Sequence, residues 1–181
     1  MHYGLCDLCG YAIVVSGKNA YRVLGIDPGL NITGYAAVDF GGGEPIIVEA
    51  GAIRTSDRAD LAERIGLIYA DLADMLGELK PDLAAVEQLY AHYKHPRTAI
   101  LMGHARGAML LACRQAGVAV RSIAATNVKK SLTGNGHASK IQVQRAIQAI
   151  CRLKELPQPP DVADAVAIAL CAGRQKTFGK C

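Results

Sequence analysis

Three strand-like runs follow one another too closely in this chain for anything but tight turns to join them. That spacing limits the fold more than any other feature. The first run, Arg22-Val23-Leu24-Gly25-Ile26-Asp27, is apolar until its last residue and stops at the breaker Pro28-Gly29. The second spans Ile32 to Asp39 and the third Pro45 to Ile53, with Gly41-Gly42-Gly43 as the turn between them. Connections this short give an antiparallel meander. A helix follows over 61–79, where Leu61, Ile65, Ile68, Leu72, Met75 and Leu79 recur every three or four residues. Lys80-Pro81 ends it, and Asp82 to Glu87 reads as a fourth strand. A strand, a helix and another strand form a crossover, so the fourth strand lies parallel to the first.

Asp27 alone has two readings, a turn cap or a member of a site. Parallel strands end on the same edge, so Glu87, the last residue of the fourth strand, lands on the edge that holds Asp27. Ligands of open α/β sheets gather at that edge.

The rest of the chain alternates helices with one more strand. Residues 97–116 form a helix with Gly103 and Gly107 inside it. Each glycine costs about 1 kcal/mol relative to alanine, so the helix packs closely, either in the core or against a partner subunit. Val118 to Ile123 make a fifth strand, and Thr126 is expected to cap a short helix through Leu132. After Gly134-Asn135-Gly136, Ser139 starts a helix to about Leu153. The last helix begins near Pro159-Pro160, as proline suits a first helical turn. Asp161 and Asp164 are three apart and share one face of that turn, while Val162, Val166, Ile168 and Leu170 are apolar. Dipole complementarity accounts for acids at a helix start but not for the face they take.

At 181 residues the chain fits one domain, expected over 21–175, with an N-terminal extension at 1–20 that is poorly ordered and a tail at 176–181. Apolar content is 51%, yet no window approaches the roughly 18 uninterrupted apolar residues of a membrane span. Tyr11 to Val15 is too short for a signal peptide. Cys6 and Cys9 form one Cys-x-x-Cys pair without a second, while Cys113, Cys151 and Cys171 fall in apolar helical patterns. A reducing, cytoplasmic compartment fits this usage.

The formal charge is only +4, but it is unevenly spread. No carboxylate occurs between Glu87 and Glu155, an interval that holds Lys94, Arg97, Arg106, Lys129, Lys130, Lys140 and further cations. A basic middle flanked by acids suits a polyanion held beside an acidic site. Asp27, Glu87, Asp161 and Asp164 come from three distant parts of the chain and converge on one edge. Like charges that close must be neutralised. Two divalent ions roughly 3.5–4 Å apart would do so, and such pairs activate water and stabilise the leaving oxygen in phosphodiester cleavage. Oxygen-only ligands favour Mg²⁺, with Mn²⁺ as a substitute. Hydrolysis of a nucleic-acid backbone follows from the combination.

The element order and these carboxylates resemble the ribonuclease H-like nuclease fold, an α/β class with a central mixed five-stranded sheet (three antiparallel then two parallel strands) flanked by helices. Five segments carry a closer likeness: Gly25-Ile26-Asp27-Pro28-Gly29, Thr33-Gly34-Tyr35, Ala85-Val86-Glu87-Gln88, His104-Ala105-Arg106-Gly107 and Asp161-Val162-Ala163-Asp164-Ala165. Together and in this order, over about residues 22–173, they resemble the RuvC family of Holliday junction resolvases.

That resemblance implies a homodimeric endonuclease that nicks two strands of like polarity across a four-way junction, with the RuvAB branch-migration complex as a candidate further partner. It places metal ligation on Asp27, Glu87, Asp161 and Asp164. It places contact with the scissile phosphate on Lys129 and Lys140, and base stacking on Tyr90. Lys94, Arg97, Arg106 and Lys130 are expected DNA contacts. The chain departs from the family at residues 1–20 and in Ala91-His92-Tyr93-Lys94-His95-Pro96, which bears on how a junction is opened. His137, near Lys140, is a candidate aid to proton transfer. Three other readings compete. An actin-like ATPase needs a second domain for which 181 residues leave no room. A short relative of the fold that processes ribosomal RNA is expected to lack the Glu87-Gln88 pair and the Asp161/Asp164 spacing. A non-catalytic junction-binding module needs no cluster of four acids.

Overall fold

The computed structural model describes residues 21–41, 43–89 and 96–177. In chain order these form β1 (Tyr21–Asp27), β2 (Ile32–Phe40), β3 (Ile46–Arg54), α1 (Leu61–Leu79), β4 (Leu83–Glu87), α2 (Pro96–Gln115), β5 (Ala119–Ile123), α3 (Ala125–Thr133), α4 (Lys140–Ile150) and α5 (Pro160–Thr177). The strands make one sheet in the order β3-β2-β1-β4-β5. The β3-β2-β1 part is antiparallel and the β1-β4-β5 part parallel, the mixed sheet expected from the meander and crossover. No helix among the described residues is long and apolar enough to cross a membrane.

Strand parity sets which side chains meet. Side chains alternate between the faces of a sheet. Val23 packs in one apolar layer with Val166 and Ala169 of α5, while Leu24 and Ile26 pack in the other with Ile68 and Leu72 of α1. Gly25 and Asp27 therefore belong to the α5 face. In β4, Leu83 and Ala85 join the α5 layer and Ala84 and Val86 the α1 layer, so Glu87 also belongs to the α5 face. Ile26 pairs with Val86, and Asp27 and Glu87 each lie one step beyond that pair.

Helix α5 lies directly on the sheet because two strand residues lack a side chain. A Cβ at Gly25 would sit 2.2 Å from the Ala165 carbonyl oxygen, and one at Gly34 would sit 2.1 Å from that of Asp161. Gly34 is the register partner of Asp27. Close backbone approach at these two glycines thus places the first turn of α5 over the carboxyl end of β1.

At the opposite end of β1, the Arg22 guanidinium grips Asp39 of β2 with two donors, at 2.7 and 2.9 Å, and donates a third to the Leu79 carbonyl at 2.8 Å. The β4 entrance is tied in as well, since the Arg22 backbone N–H donates to the Asp82 carboxylate at 2.8 Å.

Helix ends follow their local chemistry, with two departures from expectation. Asp60 and Glu63 form a capping box on α1, and Ser139 and Gln142 form one on α4. Thr126 does not cap α3. That helix starts two residues earlier, where the Ala124 carbonyl accepts from the Asn127 and Val128 N–H groups without any side-chain cap. Helix α4 stops at Ile150 rather than near Leu153, and Cys151 takes the C-cap position. Cys113 and Cys171 are buried thiols, as small apolar residues are.

Candidate active site

The carboxyl edge of β1 and β4 gathers the acids that the sequence placed there. Burial pushes the Asp27 carboxyl up to about 7, and the negative charges of Glu87, Asp164 and Asp161 push the same way. Glu87 is raised too, first by burial and then by Asp164. All four carboxylates therefore act on one space. Two cations answer them from the helices on that face. Lys140, at the start of α4, donates from Nζ to Asp164 Oδ2 at 3.2 Å and lowers both Asp27 and Glu87. Lys129, on α3, lowers Glu87. The Lys140 ammonium is in turn raised, chiefly by Asp164.

The grouping is electrostatic rather than a formed coordination shell. Among the described residues no three histidine, cysteine or carboxylate side chains are drawn together tightly enough to hold an ion as they stand. Lys140 already occupies one oxygen of Asp164. Buried carboxylates with too few counter-charges are what a hard divalent cation would relieve, and the donor set is all oxygen.

The other expected contacts divide. Lys130 is exposed and is not among the cations that shift Asp27 or Glu87. Arg97 is exposed in the first turn of α2, and the His137 residue is exposed in the α3–α4 connection, where its N–H donates to Asn135 Oδ1 at 2.9 Å. Arg106 is tied down: Nε donates to the Glu87 carbonyl at 3.1 Å and a terminal nitrogen to Ser122 Oγ at 2.6 Å. Tyr90, Lys94, His92 and His95, like Cys6 and Cys9, lie outside the described residues.

Thr33 and Gly34, which carry part of the family likeness, also support the site in ways the sequence does not announce. Thr33 is 1% exposed, and its hydroxyl donates to the Gly29 carbonyl at 2.6 Å, pinning the turn that follows Asp27. Gly34 seats Asp161, as described above. A glycine inside a strand signals close backbone approach, the argument applied to Gly25 and equally open for Gly34.

A mixed sheet in this strand order, with carboxylates from β1, β4 and the last helix on one face of one edge, defines the ribonuclease H-like class of α/β enzymes. The family model described as crossover junction endodeoxyribonuclease RuvC matches residues 23–172. The chain is 49% identical over 153 residues to the crossover junction endodeoxyribonuclease RuvC of Rhodopirellula baltica, covering 84% of this chain and 86% of that one. It is 42% identical over 156 residues to the protein of that name from Halorhodospira halophila, covering 86% and 92%. Among solved structures, Thermus thermophilus RuvC in complex with a Holliday junction substrate superposes with a TM-score of 0.83 at 34% identity, over 88% of this chain and 96% of that one. The yeast mitochondrial Holliday junction resolvase, at a TM-score of 0.63 and 15% identity, shares the fold over 87% of this chain and 81% of its own. The chain belongs to the crossover junction endodeoxyribonuclease RuvC family.

Proposed function

We propose that this chain is a structure-selective DNA endonuclease that resolves four-way junctions by paired, metal-dependent nicks in strands of like polarity. One arrangement carries the reading: β1 and β4 end with Asp27 and Glu87 on the α5 face, the first turn of α5 sets Asp161 over Gly34, and Lys140 pairs with Asp164 at 3.2 Å. Asp27, Glu87, Asp161 and Asp164 are the residues that would hold Mg²⁺, or Mn²⁺ in its place, as two ions. When bound, the ions supply an activated water and charge stabilisation at the leaving oxygen. Asp27 must give up its proton for this, because burial and its acidic neighbours keep it protonated up to about pH 7. Lys129 supports the ionised form of Glu87 and has the charge to stabilise a phosphate in transit. Lys140 balances Asp164 and, like Lys129, has the charge to meet the scissile phosphate in its transition state. By the family resemblance Tyr90 supplies a stacking face, Lys94, Arg97, Arg106 and Lys130 are candidate DNA contacts, of which Arg106 is the one held within the fold, and residues 21–175 form the nuclease domain.

A homodimer accounts for paired nicks, and α2 offers the surface. Added Cβ atoms at Gly103 and Gly107 would meet nothing within 4 Å, so packing inside the described chain does not explain them. Ile100 is 61% and Leu111 51% exposed on the same helix. Two helices crossing at such glycines can approach closely. The partners on this reading are junction DNA, a second copy and the RuvAB branch-migration complex, in the cytoplasm.

The test is incubation of the purified chain with a mobile four-way junction and with plain duplex, with and without Mg²⁺. Symmetric nicks confined to the junction and dependent on Mg²⁺ are expected. Equal cleavage of both substrates would replace a resolvase with a general nuclease.

A further inference from the structure

We infer that Arg106 is a positioning residue, a strut from α2 that holds the root of Glu87 in place and so ties the metal-binding edge to the helix that carries the exposed glycine face. The inference rests on the metal-site reading above and adds a residue to it. Its basis is how completely one peptide unit is held. The carbonyl of Glu87 accepts from Arg106 Nε at 3.1 Å, and the N–H of the next residue, Gln88, donates to the Ile123 carbonyl of β5 at 2.9 Å. Both polar groups of the Glu87–Gln88 peptide are thus engaged, one by α2 and one by β5. The same guanidinium bonds Ser122 Oγ at 2.6 Å, so it spans the ends of both strands.

The strut has a firm anchor. Ala105 and Met109, on either side of it in α2, are fully buried in the apolar layer beneath the sheet. Helix rotation is fixed by that packing, and Arg106 is carried to the strand ends. The same helix presents Gly103 and Gly107 to open space. A groove of about 460 Å³ runs between them and the strand ends, with Gln88, Leu89, Arg106 and Ser122 in its walls. Groups that orient metal ligands without touching the metal typically change metal affinity or activity 10–100-fold when removed.

The experiment measures Mn²⁺ binding by electron paramagnetic resonance on the full chain, beside junction binding in EDTA, nicking in Mg²⁺ and thermal melting. The variants are Arg106→Met, Arg106→Lys and Ser122→Ala, with Asp27→Asn as control. Arg106→Met is expected to weaken Mn²⁺ about 10-fold or more, with nicking falling in parallel and junction binding kept. Arg106→Lys should recover part of the loss, since an ammonium can still donate to the Glu87 carbonyl. Ser122→Ala should show a smaller loss of the same kind. Unchanged Mn²⁺ affinity with weakened junction binding in Arg106→Met would make Arg106 a DNA contact and overturn the inference. So would equal melting losses in the Met and Lys variants with Mn²⁺ affinity intact, which mark a packing residue. Should Arg106→Met not fold, wild-type Mn²⁺ affinity in Ser122→Ala is the overturning result. Failure of the unmutated chain to bind Mn²⁺ strikes the metal-site reading instead, and is distinguished by the lack of any difference from Asp27→Asn.

Discussion

Strand β1 has a buried or half-buried carboxylate beside each of its ends, and the two are held in opposite ways. At the start, Asp39 is 4% exposed at its side chain and meets a two-donor guanidinium grip from Arg22, whose third donor is taken by Leu79. At the finish, Asp27 faces Glu87, Asp164 and Asp161, with Lys140 as the cation that acts on it. One end is electrically closed and the other is short of positive charge. A fold that can satisfy a buried carboxylate so fully at one end has no structural need to leave acids unbalanced at the other. The unbalanced end is where chemistry is expected. Substitutions at the two ends should therefore fail in different currencies, activity at one and stability at the other.

The largest effect belongs to Asp27→Asn. Nicking of a four-way junction in Mg²⁺ should fall by on the order of a thousandfold, with junction binding retained. Robust cutting by this variant would end the metal assignment. Lys129→Ala, on the same side of the comparison, should slow nicking by on the order of 100-fold while leaving junction affinity nearly intact. A collapse of binding would make Lys129 a docking residue.

The closed end should answer to denaturant instead. Asp39→Ala leaves the Arg22 guanidinium without its main partner and should cost about 3 kcal/mol in urea unfolding, the low end for a broken buried pair because Arg22 keeps 27% exposure. Nicking per folded molecule should hold. Replacing both partners, Arg22→Met with Asp39→Leu, should recover most of the loss, since apolar pairs of similar volume substitute well for buried ion pairs. No apolar pair should restore function at Asp27. Loss of nicking in the folded double variant would break the comparison.

Much of this contrast was legible in the sequence. The run 22–27 ends in an acid before Pro28-Gly29, and the crossover to 82–87 forces Glu87 onto the same edge. Strand pairing is set by periodicity and handedness, which a single sequence carries. Asp161 and Asp164 were placed by proline at the helix start and by their spacing. What stayed hidden depends on contacts across the fold. Arg106 in a basic stretch reads as a phosphate contact, while its acceptor is a backbone carbonyl that no residue type announces. The N-cap of α3, Ala124, has no capping side chain, so the sequence offers only Thr126 as a start signal there. The stop of α1 at Lys80-Pro81 was legible from the proline, but the left-handed conformation of Lys80, at φ 46°, was not. The open space that the described residues leave around Gly103 and Gly107 is likewise a matter of contacts across the fold.

Acidity separates the two ends further. Asp27 is raised from 3.8 to about 7, so the folded chain holds this proton more tightly than the unfolded one. The stability it contributes is complete below about pH 4 and is lost as pH rises through about 7. In EDTA, melting temperature should carry a component that falls between about pH 4 and 7 and levels off above, and Mg²⁺ should oppose it. Asp27→Asn should remove that component, and Asp39→Ala should leave it. Metal binding must displace the same proton, so Mn²⁺ affinity should rise about tenfold per pH unit below 7 and level off above it. A Mn²⁺ affinity flat from pH 5.5 to 8 would show that Asp27 is either no ligand or already ionised below that range, and Asp27→Asn with unchanged Mn²⁺ affinity would single out the first.

The smallest effect is also the most discriminating, because it asks whether the open end has a structural part of its own. Thr33→Val keeps the volume of a side chain that is 1% exposed and removes the hydrogen bond from its hydroxyl to the Gly29 carbonyl. A neutral hydrogen bond of this kind contributes about 1 kcal/mol, well below the Arg22–Asp39 pair. The turn after Asp27 loses its pin, so Mn²⁺ affinity should drop by a few-fold alongside that modest stability loss. A stability loss as large as that of Asp39→Ala, with Mn²⁺ affinity untouched, would mean that the Pro28-Gly29 turn supports the fold rather than the site. In that case the division of β1 into a closed structural end and an open chemical end would have to be redrawn one residue short of the turn.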